Sequence, residues 1–236
     1  MTDTPAPLAH HFTPGDGPAI LFLPGYASDM AGTKALAIED WARAEGRAFM
    51  RFDYRGCGAS PGDFAAMTLD DWLADAVAMI DRLAGPVVLI GSSMGGWLML
   101  RAALARPERV AALIGIAAAP DFTDWGFSET ERAVLARDGR LLRLSPYGPE
   151  PTLYTRALVE SGARHRLLDG PIALDMPVRL LHGMADDDVP HRVALSLAER
   201  LRGGDVQLLL IKDGDHRLSR AADIARIIRT VEEIAR

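Results

Sequence analysis

The sequence predicts an α/β protein with a mostly parallel, doubly wound sheet, helices on both faces of that sheet and a small helical lid. Two observations carry this prediction. Apolar runs without polar alternation recur along the chain, and a segment with helical spacing follows most of them. Such runs are typical of strands that are buried on both faces, and repeated strand–helix units place these strands in parallel. The 236 residues suffice for one domain with a full core.

The first half of the chain contains the clearest elements. Apolar runs predict strands at residues 8–12 (an edge strand), 19–23, 48–52, 87–90 and 110–117. Helical spacing predicts helices at residues 33–45 and 68–83, and a third that follows residue 93 and runs to residue 106. End signals support all three helices, because Gly46 can cap the first, Thr68 can open the second and Pro107 ends the third.

The strand–helix alternation stops between residues 120 and 176, a stretch too long for a plain connection in a compact domain. Ser128 and Glu131 form a capping-box pattern that opens a helix closing near Gly139. A second short helix is predicted at residues 152–161. We interpret the stretch as a lid inserted into a single domain of 236 residues.

The alternation resumes after the lid. Strands are predicted at residues 177–181 and 206–211, and helices at residues 190–201, with proline at the first position, and 219–234. Ligands of parallel sheets bind at the carboxyl ends of the strands, so the loops after these strands are where we expect the chemistry.

A Gly-x-Ser-x-Gly pattern lies between the fourth apolar strand and the following helix. The glycines are Gly91 and Gly95, and only Ser93, not Ser92, lies two residues from both. This strand–turn–helix arrangement predicts a nucleophilic serine at a sharp turn. The alternative is an ordinary glycine-rich turn, which could hold a phosphate as in dinucleotide-binding folds.

A serine nucleophile needs a base, and the base needs an orienting acid. His216 follows the last strand and comes after the candidate acids, which is the chain order this fold requires. The acid is expected after residues 177–181, where Asp186, Asp187 and Asp188 compete. Asp186 is favoured because it lies early in the loop, and Asp188 is the second candidate. Carboxylates next to the helix start could instead serve as helix caps.

Two backbone N–H groups are expected to hold the oxyanion of the reaction intermediate. Met94 follows the nucleophile directly, and Tyr26 lies in the loop after the strand at residues 19–23. The lid supplies aromatic candidates for substrate binding, namely Trp125, Phe127 and Tyr147.

Several other chemically capable residues are interpreted as structural. His182 ends a strand and is expected to be a packed core residue, and Cys57 a small buried filler. Asp53 and Arg55 are expected to form a buried pair or to brace their loop.

Composition excludes several classes of function. A formal net charge of −6 disfavours nucleic acid as a partner, and the single cysteine excludes an intrachain disulfide. The longest apolar run is too short to cross a bilayer. The first residues resemble neither a signal peptide nor a transit peptide, which predicts a soluble cytoplasmic protein. Neither a spaced metal-ligand cluster nor a nucleotide-binding glycine motif is evident, so we expect no metal and no cofactor.

Together these residues resemble the α/β-hydrolase superfamily. More specifically, the chain is similar to the family of mitochondrial palmitoyl-protein thioesterases, which are also described as acyl-glucuronide esterases. The matching blocks are residues 23–26, 34–39, 51–54, 91–100, 180–184 and 215–217. The resemblance implies a triad of Ser93, Asp186 and His216, and hydrolysis of S-acyl cysteine thioesters and acyl-glucuronide esters. The lid departs from the family, and lid residues set the choice of acyl chain and leaving group.

The function expected is therefore that of a serine hydrolase that cleaves carboxylic esters or thioesters of small molecules or acylated proteins through an acyl-enzyme. The alternatives are a small peptidase or C–C bond hydrolase that uses the same triad, and a non-catalytic ligand-binding module that has kept the fold.

Overall fold

The computed structural model describes residues 7–145 and 148–235. In that part of the chain the strands are β1 (His10–Thr13), β2 (Asp16–Leu23), β3 (Arg47–Phe52), β4 (Val87–Ser92), β5 (Val110–Ile116), β6 (Arg140–Arg143), β7 (Thr152–Thr155), β8 (Val178–Gly183) and β9 (Val206–Ile211). The helices are α1 (Thr33–Ala44), α2 (Leu69–Arg82), α3 (Met94–Ala105), α4 (Phe122–Trp125), α5 (Glu129–Asp138), α6 (Arg156–Ala163), α7 (Arg192–Arg200) and α8 (Ala221–Ile234).

Seven of these strands form one twisted sheet in the order β1-β3-β2-β4-β5-β8-β9. Strand β1 runs antiparallel to β3 at one edge, and all the other neighbours are parallel. This confirms the predicted mostly parallel sheet. It also confirms an edge strand near the N-terminus, where His10 pairs with Phe52.

Helices cover both faces of the sheet, as the unalternated apolar strands predicted. On one face, Ile38 of α1 and Ile227 of α8 pack on strand side chains such as Ile90. On the other face, Trp72 of α2 and Trp97 of α3 belong to a larger core. Because buried layers lie on both faces, the strands hold their loops at fixed positions along one edge of the sheet.

The predicted helix ends are largely confirmed. Gly46 follows α1 with φ +64°, a left-handed conformation that glycine adopts without steric cost. The Asp71 carboxylate accepts the Thr68 N–H at 3.0 Å, and Glu131 accepts the Ser128 N–H at 2.8 Å. Helix α7 begins two residues later than predicted, a normal uncertainty at a helix end.

The segment predicted to be a lid contains three short elements that were not predicted, namely α4, β6 and β7. The helix predicted at residues 152–161 is wrong in its first turn, because Thr152–Thr155 form β7, which pairs antiparallel with β6. Helix α6 begins only at Arg156, where the Thr155 side chain accepts the N–H of Leu158 at 3.1 Å. Threonine, leucine and tyrosine suit a strand when a partner strand is present, and that partner lies about a dozen residues earlier. The segment predicted to be a lid therefore contains a β-hairpin, β6–β7, as well as helices.

The parallel strands β2, β4, β8 and β9 all end at the same edge of the sheet. Their following loops carry Tyr26, Ser93, Asp186 and His216, so the topology brings the predicted site residues to one place. None of the described helices is both long and apolar enough to pass through a bilayer.

Candidate active site

Ser93 stands at a strained turn between β4 and α3. Its backbone has φ +55° and ψ −121°, a conformation that costs a non-glycine residue about 1–3 kcal/mol. The flanking glycines make the turn possible. A Cβ atom on Gly91 would lie 2.3 Å from the carbonyl oxygen of Gly95, and one on Gly95 would lie 2.1 Å from that of Leu23. The turn projects the serine side chain beyond the sheet edge, as the pattern predicted.

His216 lies in the loop after β9 and contacts the serine directly. Its Nε2 is 3.1 Å from Ser93 Oγ, and its Nδ1 is 2.8 Å from Oδ2 of Asp186. With Nδ1 protonated, Nδ1 donates a hydrogen bond to the Asp186 carboxylate, and Nε2 accepts one from the Ser93 hydroxyl. The structure thus brings His216 together with Asp186 and Ser93, which lie 30 and 123 positions away from it in the sequence.

Asp186 is held by the backbone of its own loop. Its Oδ1 accepts the N–H groups of Asp188 and Val189 at 2.9 and 2.8 Å, while its Oδ2 faces His216. Burial raises the pKa of this carboxyl, but hydrogen bonds from His182 and His216 outweigh that effect, so its pKa lies below the ordinary value. Asp186 is therefore ionised at neutral pH. Asp188 is exposed and does not occupy the position opposite His216 Nδ1.

His182 is a buried core residue, as predicted, with 1% of its surface exposed. Its Nε2 donates to the carbonyl oxygen of Val189 at 2.8 Å and lies 3.4 Å from Oδ2 of Asp186. It therefore supports the loop that presents the carboxylate. The sequence indicated that His182 would be buried but not that it would contact Asp186.

The two predicted oxyanion donors flank the nucleophile. Met94 is the first residue of α3, and Tyr26 follows Gly25 in the loop after β2. This loop lies close to the serine, because a Cβ atom on Gly25 would be 3.3 Å from the Cβ of Ser93. Within the described residues, neither the Tyr26 N–H nor the Met94 N–H donates a hydrogen bond. Both donors are thus available to a bound oxygen atom.

Two cavities meet at the nucleophile. The first, of about 190 Å³, holds the larger apolar side chains, which are Phe122, Trp125, Leu144 and Tyr154 from the predicted lid segment, and Val189. Arg143 and Asp188 also line it. The second, of about 260 Å³, is lined by Ser28, Thr33, Lys34, Ser93, His216 and Arg217 among others. We name the first the apolar cavity after its aromatic side chains, and the second the polar cavity after Lys34 and Arg217.

The three predicted substrate-binding residues differ in their relation to the apolar cavity. Trp125 lines the apolar cavity. Phe127 is buried behind the wall, where its ring packs edge-on against Tyr154 at 5.1 Å, so it supports the wall and does not line it. Tyr147 lies outside the described residues. Phe122 and Tyr154 also line the apolar cavity. The sequence could have indicated them, because both are aromatic residues in the segment predicted to be a lid.

For Asp53 and Arg55, the structure bears out the second of the two expectations, that they brace their loop. Asp53 and Arg55 do not pair with each other. Arg55 donates to Asp75 at 2.8 Å, and Asp53 accepts the N–H groups of Met30 and Ala59 at 2.6 and 2.8 Å. Both therefore brace the loop, but through different partners.

Cys57 is buried, as predicted. Burial, together with the nearby charge of Asp53, raises the pKa of its thiol to about 12. The group is therefore a neutral thiol at physiological pH, which does not suit it to act as a nucleophile.

One group of side chains could in principle hold a cation. Oxygen atoms of Asp186 and Asp188 and a nitrogen of His216 lie within 4.8 Å of one another. Asp186 and His216 already bond to each other in this group. A cation there would displace the proton that the histidine shares with the carboxylate, so it would oppose base catalysis.

Comparison with known proteins agrees with this geometry. Residues 20–231 match the Alpha/beta hydrolase family. The chain is 41% identical over 236 residues to the mouse protein named "Palmitoyl-protein thioesterase ABHD10, mitochondrial", covering 96% of this chain and 78% of the mouse protein. It is 42% identical over 232 residues to the human protein of the same name, covering 96% and 76% of the two chains.

Solved structures show the same relationship. The mouse alpha/beta hydrolase domain-containing protein 10 superimposes with a TM-score of 0.91 at 40% identity, covering 99% of this chain and 95% of the mouse chain. A crystallised protein of Agrobacterium vitis S4 superimposes with a TM-score of 0.92 at 42% identity, covering 97% and 93% of the two chains.

Proposed function

Because this chain belongs to the alpha/beta hydrolase family, we propose that it is a serine hydrolase that cleaves ester and thioester bonds through an acyl-enzyme. The contact series from Ser93 Oγ to His216 Nε2 at 3.1 Å, and from His216 Nδ1 to Asp186 at 2.8 Å, carries the proposal. The fold alone would not suffice, because one fold supports many functions. The names of the mammalian relatives favour thioester hydrolysis over the peptidase and C–C hydrolase alternatives.

In the proposed mechanism, Ser93 Oγ attacks the acyl carbonyl carbon while His216 Nε2 takes the hydroxyl proton. The carbonyl electron pair moves onto oxygen, where the N–H groups of Tyr26 and Met94 stabilise the negative charge. The pair then returns, the bond to the leaving thiol or alcohol breaks, and His216 gives the leaving group the proton. Water repeats the sequence on the acyl-enzyme and releases a carboxylic acid. Throughout, the ionised Asp186 orients the imidazole and stabilises its protonated form.

For the substrate, we propose an acyl thioester such as S-acyl cysteine, with acyl esters, including acyl-glucuronides, as further substrates. The apolar cavity beside Ser93 fits an acyl chain, because burial of each methylene contributes about 0.8 kcal/mol. The relatives' names specify a palmitoyl group on a protein. The lid segment forms much of this cavity, so acyl-chain length is set there.

A serine substitution tests the function. Ser93→Ala should abolish turnover of palmitoyl-cysteine peptides and of p-nitrophenyl esters, because the acyl-enzyme can no longer form. It should also abolish labelling by a fluorophosphonate probe, which needs an activated serine. The neighbouring variant Ser92→Ala is the matched control and should keep labelling and turnover. Labelling that persists in Ser93→Ala would show that the nucleophile lies elsewhere.

The cytoplasmic location stays a prediction, and the mammalian relatives carry the word mitochondrial in their names. Fractionation of cells that express the natural protein would decide its compartment.

A further inference from the structure

The polar cavity beside Ser93 contains a cation that the proposed mechanism does not use. Lys34, the second residue of α1, lines this cavity together with Ser93, His216 and Arg217. Lys34 lies in one of the sequence blocks that carry the family resemblance, and Arg217 lies in another. The proposed triad and oxyanion donors explain neither residue.

Lys34 is short of acceptors for its three N–H donors. Within the described ranges its ammonium donates to the carbonyl oxygen of Arg217 at 2.6 Å and forms no ion pair with a carboxylate. Burial, with the positive charge of Arg217, lowers the pKa of Lys34 to about 8. A partly buried ammonium with a neutral acceptor gains most from an anionic ligand.

The acidic groups that face Lys34 are engaged elsewhere. Asp186 is bound to His216, and Asp215 accepts the N–H of Leu218 at 2.9 Å. Asp29, on the cavity rim, accepts the N–H of Ala31 at 2.8 Å. Among the described residues, none of these three carboxylates forms an ion pair with the Lys34 ammonium.

The start of α1 adds positive potential to the same wall. Residues 32–35 line the cavity, Gly32 provides no side-chain cap, and the first turn carries no acidic residue. The N–H groups of the first turn of a helix carry a partial positive charge, which favours anions. The helix start therefore adds to the positive potential of Lys34 in a cavity that Ser93 also lines.

We propose that the polar cavity binds an anionic group on the leaving-group side of the scissile bond and that Lys34 selects for that group. The inference rests on the proposed function. Since the acyl chain is proposed to occupy the apolar cavity, the polar cavity, which also reaches Ser93, receives the departing thiol or alcohol. The substrate class is therefore an acyl thioester or ester whose leaving group bears a carboxylate.

A matched pair of substrates tests the selection. The pair consists of the hexanoyl thioesters of mercaptopropionate and of methyl mercaptopropionate, which differ in the leaving-group carboxylate. The measured quantity is the ratio of their kcat/KM values, the anionic over the neutral thioester. Lys34→Met should lower this ratio about tenfold, because a charge-assisted contact is lost, while kcat/KM for the neutral thioester should change little. Lys34→Arg should keep the ratio high.

Lys212→Met is the matched control, because Lys212 is the other of the two lysines in the chain and is exposed away from the cavity. It should leave the ratio unchanged. A ratio in Lys34→Met equal to that of the wild type would overturn the inference, while continued turnover of the neutral thioester would leave the proposed hydrolase function intact. Loss of turnover with both thioesters, with intact folding by circular dichroism, would also contradict a purely selective role.

The wild-type enzyme provides a readout that requires no variant. Protonated Lys34 attracts the carboxylate and the neutral amine does not, so the ratio should fall as pH rises through about 8. Any pH effect on the chemical steps common to the two thioesters cancels in the ratio. Lys34→Arg should remove this decline. A wild-type ratio that stays constant between about pH 6 and 10 would overturn the inference.

Discussion

At the scale of single residues, the two oxygen atoms of Asp186 have separate tasks. Oδ1 is fixed by two backbone N–H groups, and this fixes the plane of the carboxylate. Oδ2 is thereby directed at His216 Nδ1, with His182 Nε2 on its other side at 3.4 Å. The carboxylate therefore favours the imidazole tautomer with the proton on Nδ1, in which Nε2 can accept the serine proton in the proposed mechanism.

Replacement of this carboxylate gives a residue-scale prediction. Asp186→Asn should lower kcat by about 10³- to 10⁴-fold, because an amide N–H facing Nδ1 favours the opposite tautomer. KM should change much less, since Asp186 contacts no substrate in the proposed mechanism. The measurement is steady-state turnover of a p-nitrophenyl ester.

Asp188→Asn separates the two candidate acids. It makes the same chemical change at the exposed neighbour, which lines the apolar cavity, whereas the carboxylate bonded to Nδ1 is that of Asp186. We expect it to keep most of the wild-type kcat. A loss as large as that of Asp186→Asn would mean that the wrong carboxylate has been assigned.

The sequence was informative about residues whose roles depend on local context. Ser93 has its glycines within two positions, and Asp186 could be favoured because it begins its loop. Lys34 could not be identified in this way, because its acceptor is the backbone of Arg217, 183 positions away. The sequence alone does not reveal that kind of contact.

At the scale of elements, the loop after β2 and the lid hairpin act as one unit through Tyr26. The Tyr26 hydroxyl donates to the carbonyl oxygen of Leu153 on β7 at 2.5 Å. Its ring stacks on that of Tyr154, with centroids 5.0 Å apart and planes 9° apart. The residue whose N–H is a proposed oxyanion donor is thus anchored by its side chain to the hairpin.

Removal of this hydroxyl gives an element-scale prediction. Tyr26→Phe keeps the stacked ring but loses the hydrogen bond to Leu153, which should cost about 1 kcal/mol. Amide hydrogen exchange in the two strands of the hairpin, β6 and β7, should become faster. The value of kcat should fall a few-fold, because the loop that carries the oxyanion donor is held less firmly.

Tyr54→Phe is the matched control for that experiment. Tyr54 is also buried, and its hydroxyl has no hydrogen-bond partner among the described residues, so the same change removes no contact there. It should leave hairpin exchange and kcat near wild type. Equal effects of the two variants would argue against a specific link between the hairpin and the oxyanion loop.

The elements that the sequence predicted well are those with local signals. The Ser128–Glu131 capping box and the glycine after α1 each depend on a few adjacent residues. The β6–β7 hairpin was missed because its stability depends on pairing between separate segments, such as Leu142 with Leu153. Without that partner, the sequence from Thr152 onward has no strong preference for a strand.

At the scale of the whole molecule, α1 connects the sheet edge to the polar cavity. Its first turn carries Lys34 into the cavity, and slightly more than one turn later Glu39 is buried, with 3% of its surface exposed. Oε1 of Glu39 accepts the Thr13 hydroxyl at 2.9 Å, and Oε2 accepts Arg51 Nε at 2.7 Å. Because strands β1 and β3 hold this carboxylate, they also fix how far α1 extends towards Ser93.

This anchor makes the stability of the fold depend on pH. Burial raises the pKa of Glu39, but hydrogen bonds from Arg51 and Thr13 outweigh that effect, and its pKa lies below the ordinary value. A carboxyl whose pKa is lower in the folded state stabilises the fold fully above its unfolded pKa of about 4.3. That stabilisation is lost as pH falls through the lower, folded value.

Glu39→Gln should therefore lower stability at pH 7 by about 2 kcal/mol, or Tm by about 5 °C, because a buried charge pair loses one partner. Between about pH 5 and 3 its Tm should decline less steeply than that of the wild type, since the titrating group is gone. Glu45→Gln, at the exposed end of the same helix, should leave both quantities unchanged. Thermal unfolding followed by circular dichroism across this pH range measures both. If the Tm of Glu39→Gln changed with pH in parallel with that of the wild type, the charge of Glu39 would not be what stabilises the position of α1.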